Sequence, residues 1–265
     1  MRSTGSCCVF DADLTACAGI VRRADPARFR ATMAGPVAAR ARLFPLYAFN
    51  SEVARAPWVT QEPIIAQMRL QWWRDVLAEI AGGGAVRRHE VATPLAGVLD
   101  ATGAGLLDAL VAARRADIER APFADEAALW AYLDATSGNL MRVAARALGP
   151  ADEAALGPAG LALGLANWLR AIPALEAAGR APLPDGRPEA VQRLAGEGLA
   201  HLRAARARRG AVSRAARPAL LPLWEAGMVL TRAARDPALV AAGALEPAPV
   251  RSRAALMWRA LSGRW

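Results

Sequence analysis

The chain has 265 residues, and its 33 basic and 24 acidic side chains give it a formal net charge of +9 at neutral pH. Every basic residue is an arginine, which excludes functions that need a lysine amine, such as Schiff-base chemistry or a P-loop. The two histidines, His89 and His201, are too few for a metal site built from several histidines.

Alanine and leucine dominate the chain, whereas valine, isoleucine and tyrosine are scarce, so we predict an all-α protein. The first helical segment covers residues 11–34, with a new helix start at Asp25-Pro26, and the next two cover 36–56 and 60–81. Further helices are predicted over 93–101, 103–119, 125–147, 151–173, 188–209, 214–234 and 251–262. No linker-like segment divides them, so a single domain over residues 1–265 is expected, with residues 1–10 disordered.

The sequence has no visible secretory signal and no uncharged stretch long enough to span a bilayer. We therefore expect a cytoplasmic protein that is soluble or peripheral at the inner membrane. Residues 256–261 end the last helix with an amphipathic pattern, which we expect to dock on the core rather than enter a membrane. The arginines between positions 203 and 217 lack interleaved aromatic residues, so a solvated helix face is favoured over nucleic-acid binding.

Three helical segments, residues 40–55, 68–75 and 167–173, carry polar side chains on faces that a simple core helix would keep apolar. A buried polar group needs a partner, so these side chains either satisfy one another internally or line a cavity between helices. The sequence alone leaves both interpretations open. The candidate cavity-lining residues are Tyr47, Asn50, Glu52, Arg55, Arg69, Trp72, Asp75, Asn167 and Arg170.

Several segments, in the same order along the chain, resemble the squalene/phytoene synthase family. Residues 42–49 resemble the start of that family's first aspartate-rich helix, and residues 70–75 resemble its tryptophan-containing helix. Residues 132–138 are similar to the segment that bends beside the active site, and residues 165–170 are similar to the second aspartate-rich helix. The resemblance implies an isoprenoid synthase type I-like helical bundle around a central cavity.

The positions that would carry the metal-binding acids differ from the family pattern. Enzymes of this family hold Mg²⁺ through two facing acidic motifs, because the diphosphate leaving group needs cations and hard cations need carboxylate oxygens. The corresponding positions here are non-acidic: Ala54, Arg55 and Trp58 in the first motif, and Ala171, Ala174 and Leu175 in the second. The resemblance, combined with this metal chemistry, implies a protein with no catalytic residues, no metal and no cofactor.

One non-catalytic branch of the family has a similar pattern. Residues 49–54, 68–71 and 169–173 resemble those of the mitochondrial complex I assembly factor and similar bacterial proteins. This resemblance implies a protein partner, namely a subunit or assembly intermediate of respiratory NADH dehydrogenase. Two alternatives stay open: an active prenyltransferase that condenses two prenyl diphosphates head to head with Mg²⁺, and a protein that holds an isoprenoid or another lipid in the cavity.

Overall fold

The computed structural model describes residues 12–60 and 62–265, so residues 1–10, which we expected to be disordered, lie outside the described residues. The described part of the chain is built from helices without a β-strand, which confirms the all-α prediction. The α-helices are α1 (Ala12–Ala24), α2 (Pro26–Ala34), α3 (Val37–Arg55), α4 (Pro63–Ala81), α5 (Ala92–Ala96), α6 (Ala101–Ala113), α7 (Arg115–Glu119), α8 (Glu126–Leu133), α9 (Asn139–Arg146), α10 (Glu153–Ala177), α11 (Pro188–Ala207), α12 (Ala226–Arg235), α13 (Ala238–Ala241) and α14 (Pro249–Ser262).

The long helix α10 organises the C-terminal half of the core. It packs against α9, α11 and α12, and against a π-helical turn, Asp134–Gly138, that joins α8 to α9. A Cβ atom at Gly160 would lie 2.6 Å from the Cα atom of Gly138, so glycine at this position allows the turn to approach α10 closely. Such turns are frequent at functional sites, and this one contributes side chains to the cavity described below.

The N-terminal half of the core is formed mainly by α1, α3, α4 and α6. Helix α1 packs against α3, and α4 packs against α6. Helix α4 buries Leu70, Trp73 and Leu77, whose spacing of three and four residues places them on one face. Phe49 of α3 meets Trp73 edge to face with ring centroids 5.1 Å apart, which joins α3 and α4 in one core.

Two predicted helices, 93–101 and 103–119, are each interrupted. Helix α5 ends at Ala96, and a separate helix, α6, starts because the side chain of Asp100 accepts a hydrogen bond from the Gly103 amide at 2.7 Å. Between α6 and α7 the helix breaks at Arg114. The Asp100 cap is a local signal for the start of α6 that the apolar periodicity of this region did not reveal.

The predictions for 151–173 and 214–234 need correction as well. Helix α10 runs through Pro173 and ends at Ala177. The segment Arg217–Trp224 is a 3₁₀ helix, and only the following segment, α12, is α-helical. Two prolines inside the 3₁₀ segment lack the amide hydrogens that an α-helix would need there. None of the helices that the structure describes is both long and apolar enough to cross a bilayer.

Candidate functional site

A partly open cavity of about 970 Å³ lies beside the C-terminal half of α10. Its walls are formed by α2, the ends of α3 and α8, the π-helical turn and α10, with single side chains from α1, α7 and α9 and others from loops. The volume is at the upper end of the range for small-molecule sites, which is roughly 300–1,000 Å³. The cavity therefore has room for an elongated amphipathic molecule.

The six positions where the resemblance predicts lost metal-binding acids all line this cavity. Those of the first motif lie at the end of α3 and in the 3₁₀ turn Ala56–Trp58 that follows it, where Pro57 prevents the α-helix from continuing. Those of the second motif lie on α10. Three elements, namely α3, the 3₁₀ turn and α10, thus present alanine, leucine, tryptophan and arginine to the cavity; the residues are Ala54, Arg55, Trp58, Ala171, Ala174 and Leu175.

Four of the nine candidate lining residues, Asn50, Arg55, Asn167 and Arg170, are in the cavity wall. The other five are not in the lining of this cavity. Tyr47 is buried behind the wall, where the Arg28 guanidinium lies 4.9 Å from its ring and desolvation raises its pKa to about 12. Glu52 lies outside the lining and forms a long ion pair, 3.9 Å, with Arg55.

The remaining three, Arg69, Trp72 and Asp75, belong to α4, which forms no part of the cavity wall. Arg69 and Asp75 are exposed, and Asp75 accepts a hydrogen bond from Gln71 at 2.8 Å. Trp72 packs against His89, with ring centroids 5.1 Å apart. The physical reason is the direction of the α4 core face, which points towards α3 and α6 and leaves these side chains on other faces.

Carboxylates do line the cavity, but arginines neutralise them. Glu225 lies 2.7 Å from Arg170, and Glu246 approaches the same guanidinium at 3.1 Å. Asp25 lies 3.4 Å from Arg28 and also caps α2 by accepting a hydrogen bond from the backbone amide of that residue. These acids are therefore engaged within the protein.

The fourth cavity carboxylate, Asp117, is the centre of a buried network. It lies 3.1 Å from Arg114 and 3.0 Å from Arg180, and it accepts a hydrogen bond from the Tyr132 hydroxyl at 2.8 Å. Burial raises the pKa of the Tyr132 hydroxyl, which therefore stays protonated as a donor. The Arg180 guanidinium also stacks 5.4 Å from the ring of Trp58, so a side chain at a lost acidic position now holds an arginine of the wall.

A sequence profile described as squalene/phytoene synthase matches residues 21–186 of this chain, which is more than half of its length. The chain belongs to the squalene/phytoene synthase family. Among solved structures, a dehydrosqualene synthase crystallised in complex with ligand superposes with a TM-score of 0.75 at 14% identity, over 95% of this chain and 96% of that one. The squalene synthase HpnC from Alicyclobacillus acidocaldarius gives a TM-score of 0.69 at 18% identity, over 84% of this chain and 93% of that one.

These likenesses establish the isoprenoid synthase-like all-α fold that the sequence predicts. No curated protein matches the chain significantly. Membership of the family implies a binding site for Mg²⁺, an ion that needs several oxygen ligands arranged around one point. The cavity residues do not fit that requirement, because its four carboxylates are divided among arginines, and the described residues include no cluster of three acidic, histidine or cysteine side chains.

Positive charge exceeds negative charge in the lining of this family member. Six arginines and four carboxylates line the cavity. Arg30 is exposed, and its guanidinium lies 5.8 Å from the ring of Trp224, while Arg55 has only the distant Glu52. Arg28 Nε and Ser137 Oγ are buried without a hydrogen-bond partner among the described residues. This donor-rich lining suits an anionic group that is bound directly, without a bridging metal.

Sequence reasoning missed Asp117, Arg180 and Glu225 as parts of the site. Arg180 is 63 residues from Asp117, and Glu225 is 55 residues from Arg170, so no local pattern could reveal these pairs. The family resemblance gave two signals. Residues 132–138 supply Tyr132 from α8 and Thr136 and Ser137 from the π-helical turn to the lining, and Gly179-Arg180 resemble the loop that follows the second aspartate-rich helix.

Proposed function

We propose that this chain is a catalytically silent member of the squalene/phytoene synthase family, whose cavity binds an anionic amphipathic molecule instead of converting it. The observation that supports the proposal is the composition of the cavity lining. All six positions of the lost acidic motifs are non-acidic, and the carboxylates that do line the cavity are held by arginines. Ionisation of a prenyl diphosphate needs cations at the leaving group, and this lining offers no site for them.

A turnover assay tests the catalytic part of the proposal. The purified protein is incubated with Mg²⁺ and farnesyl or geranylgeranyl diphosphate, and products are extracted and identified by mass spectrometry. We expect intact diphosphate and no C30 or C40 hydrocarbon. A dehydrosqualene synthase in a parallel reaction is the positive control, and any condensed product from this chain that grows with time contradicts the proposal.

We further propose a biological role in the assembly of respiratory NADH dehydrogenase, in which the protein binds a subunit or an assembly intermediate at the cytoplasmic face of the membrane. The support is the resemblance of residues 49–54, 68–71 and 169–173 to the non-catalytic branch of the family. Deletion of the gene should lower NADH:quinone activity in isolated membranes, and reintroduction of the gene should restore it. Unchanged activity and unchanged amounts of the complex would contradict this role.

A second candidate function is prenyl transfer with the diphosphate held directly by arginines. The excess of cations in the lining, with Arg30 and Arg55 free of close carboxylates, favours it. The same turnover assay, performed in excess EDTA, separates the candidates. A silent binding protein leaves the diphosphate intact in both conditions, whereas transfer by arginine would yield product that persists when the metal is chelated.

A further inference from the structure

The outer face of the last long helix, α14, is apolar and uncovered. Val250, Met257, Trp258 and Leu261 are 81%, 63%, 65% and 84% exposed. Their spacing of one, three, four and seven residues places them on a single face of the helix. Together they form the outer stripe of α14, a continuous apolar surface of the kind that usually marks an interaction site.

The opposite face holds α14 to the body of the protein, but of the large apolar residues in 256–261, which we expected to dock on the core, only Leu256 is buried. Leu256 packs against Ala31, Leu221 and Trp224. The buried Ser252 hydroxyl donates a hydrogen bond to Glu225, which is ion-paired with Arg170 in the cavity wall. These contacts fix the orientation of α14, so its outer stripe faces away from the body of the protein.

Positive charge surrounds the outer stripe. Arg251 and Arg253 are exposed and flank the stripe on its two sides, and Arg264 is exposed just beyond the helix end. Residues 249–265 contain four arginines and no acidic residue. Long arginine side chains beside an apolar stripe can keep their guanidinium groups at the level of lipid phosphates while the stripe enters the acyl boundary.

A second group of arginines, formed by Arg259 on the opposite face of α14 together with Arg206 and Arg209, adds to the positive field. Arg206 Nε donates a hydrogen bond to the main-chain oxygen of Trp265 at 3.1 Å, and none of Arg206, Arg209 and Arg259 pairs with an Asp or Glu side chain among the residues that the structure describes. Burial and mutual repulsion lower the pKa of Arg206 to about 10, and burial and Arg209 also lower the pKa of Arg259. Uncompensated positive charge on this side of the molecule favours an anionic partner.

We propose that the outer stripe of α14 and its flanking arginines dock this protein on an anionic phospholipid surface, with the helix lying in the interfacial plane. A second copy of the chain fits the stripe less well, because a two-fold contact would bring the same arginines together. The exposed apolar residues of α4, Ile64 and Met68, fit a membrane less well, because Asp75 and Glu79 lie on the same helix. The docking does not depend on what the cavity binds.

Vesicle sedimentation tests the proposal with a matched pair of variants. The full chain is mixed with vesicles of phosphatidylcholine and phosphatidylglycerol, or of phosphatidylcholine alone. Trp258→Ser with Leu261→Ser should weaken binding to the anionic vesicles about tenfold or more, because two large apolar side chains no longer enter the interface. Ile64→Ser with Met68→Ser on α4 removes similarly exposed apolar side chains and should bind as the wild type does.

Two further measurements show whether vesicle binding depends on the flanking arginines and on insertion of Trp258. Replacement of Arg251 and Arg253 by glutamine should weaken binding about fivefold for each arginine, and added salt should mimic this effect. Tryptophan quenching by brominated phosphatidylglycerol should largely disappear in Trp258→Phe but persist in Trp58→Phe, two variants that keep the aromatic packing. Equal binding to neutral vesicles, equal loss in the α4 variant, or a dimer abolished by the α14 variant without vesicle binding would overturn the proposal.

Discussion

The cavity wall contains two kinds of arginine, which differ in burial and in pairing. Arg114 and Arg180 are largely buried and share Asp117, whereas Arg30 and Arg55 are exposed at the rim and have no close carboxylate. A buried guanidinium must be compensated within the protein, while an exposed one is stabilised by water. The buried arginines therefore serve the fold, and the rim arginines are available for a ligand.

The largest effect is expected from Asp117→Asn, which removes the anion shared by the buried arginines. The substitution leaves Arg114 and Arg180 buried without their shared anion, so the free energy of unfolding should fall by about 3–5 kcal/mol. Urea denaturation followed by circular dichroism measures it. Asp185→Asn is the control, because the Asp185–Arg187 pair is solvent-exposed and its loss should change stability little. Equal, small effects of both substitutions would contradict the assignment of Asp117 as a structural anchor.

Trp58→Ala tests how much the contact between Trp58 and the buried Arg180 contributes to stability. It removes the ring that stacks on Arg180 and should cost about 1 kcal/mol of stability. Trp58→Phe keeps an aromatic face and should retain most of that stability. If the Trp58→Ala and Trp58→Phe variants are equally stable in thermal and urea unfolding, the stacking contributes nothing to stability, and Trp58 only occupies the position of the acidic residue.

Arg55→Ala tests whether an exposed arginine at the rim of the cavity takes part in ligand binding. Because 62% of its side chain is exposed and its ion pair with Glu52 is long, stability should change by less than about 0.5 kcal/mol. The affinity for an anionic amphiphile such as farnesyl diphosphate, titrated by calorimetry in EDTA, should fall about fivefold through the loss of one nearby charge. An unchanged affinity would remove Arg55 from the binding site and weaken the distinction between rim and buried arginines.

The smallest expected effect lies outside the cavity, at His201. Its ring lies 5.0 Å from that of Trp130, and burial lowers its pKa below 6.5 while Glu197 partly opposes this. The unfolded chain then binds the proton first, so stability is retained above pH 6.5 and is lost as the pH falls through the lower folded-state value. His201→Gln should lack this component, seen as a smaller acid-side drop in unfolding free energy. Identical pH profiles would contradict it.

The sequence was informative about the parts that depend on local periodicity or on family motifs. Helical spacing predicted α3 and α4 closely, and the motif register placed Ala54 and Ala171 at positions that line the cavity. The sequence could not determine whether the polar side chains of α4 face the cavity, because a polar residue such as Arg69 on an amphipathic helix can face either a cavity or solvent. Ion pairs between distant residues, such as Arg180 with Asp117, depend on tertiary packing and leave no local signature.

We propose that this cavity no longer supports metal-dependent ionisation of a prenyl diphosphate. The most direct measurement is the release of pyrophosphate from farnesyl diphosphate by the purified wild-type protein, at high protein concentration, with and without Mg²⁺. We predict no release above the protein-free rate in either condition, together with binding of the intact diphosphate that EDTA does not abolish. Pyrophosphate release that requires Mg²⁺ and scales with the amount of protein would show that metal-dependent ionisation is retained.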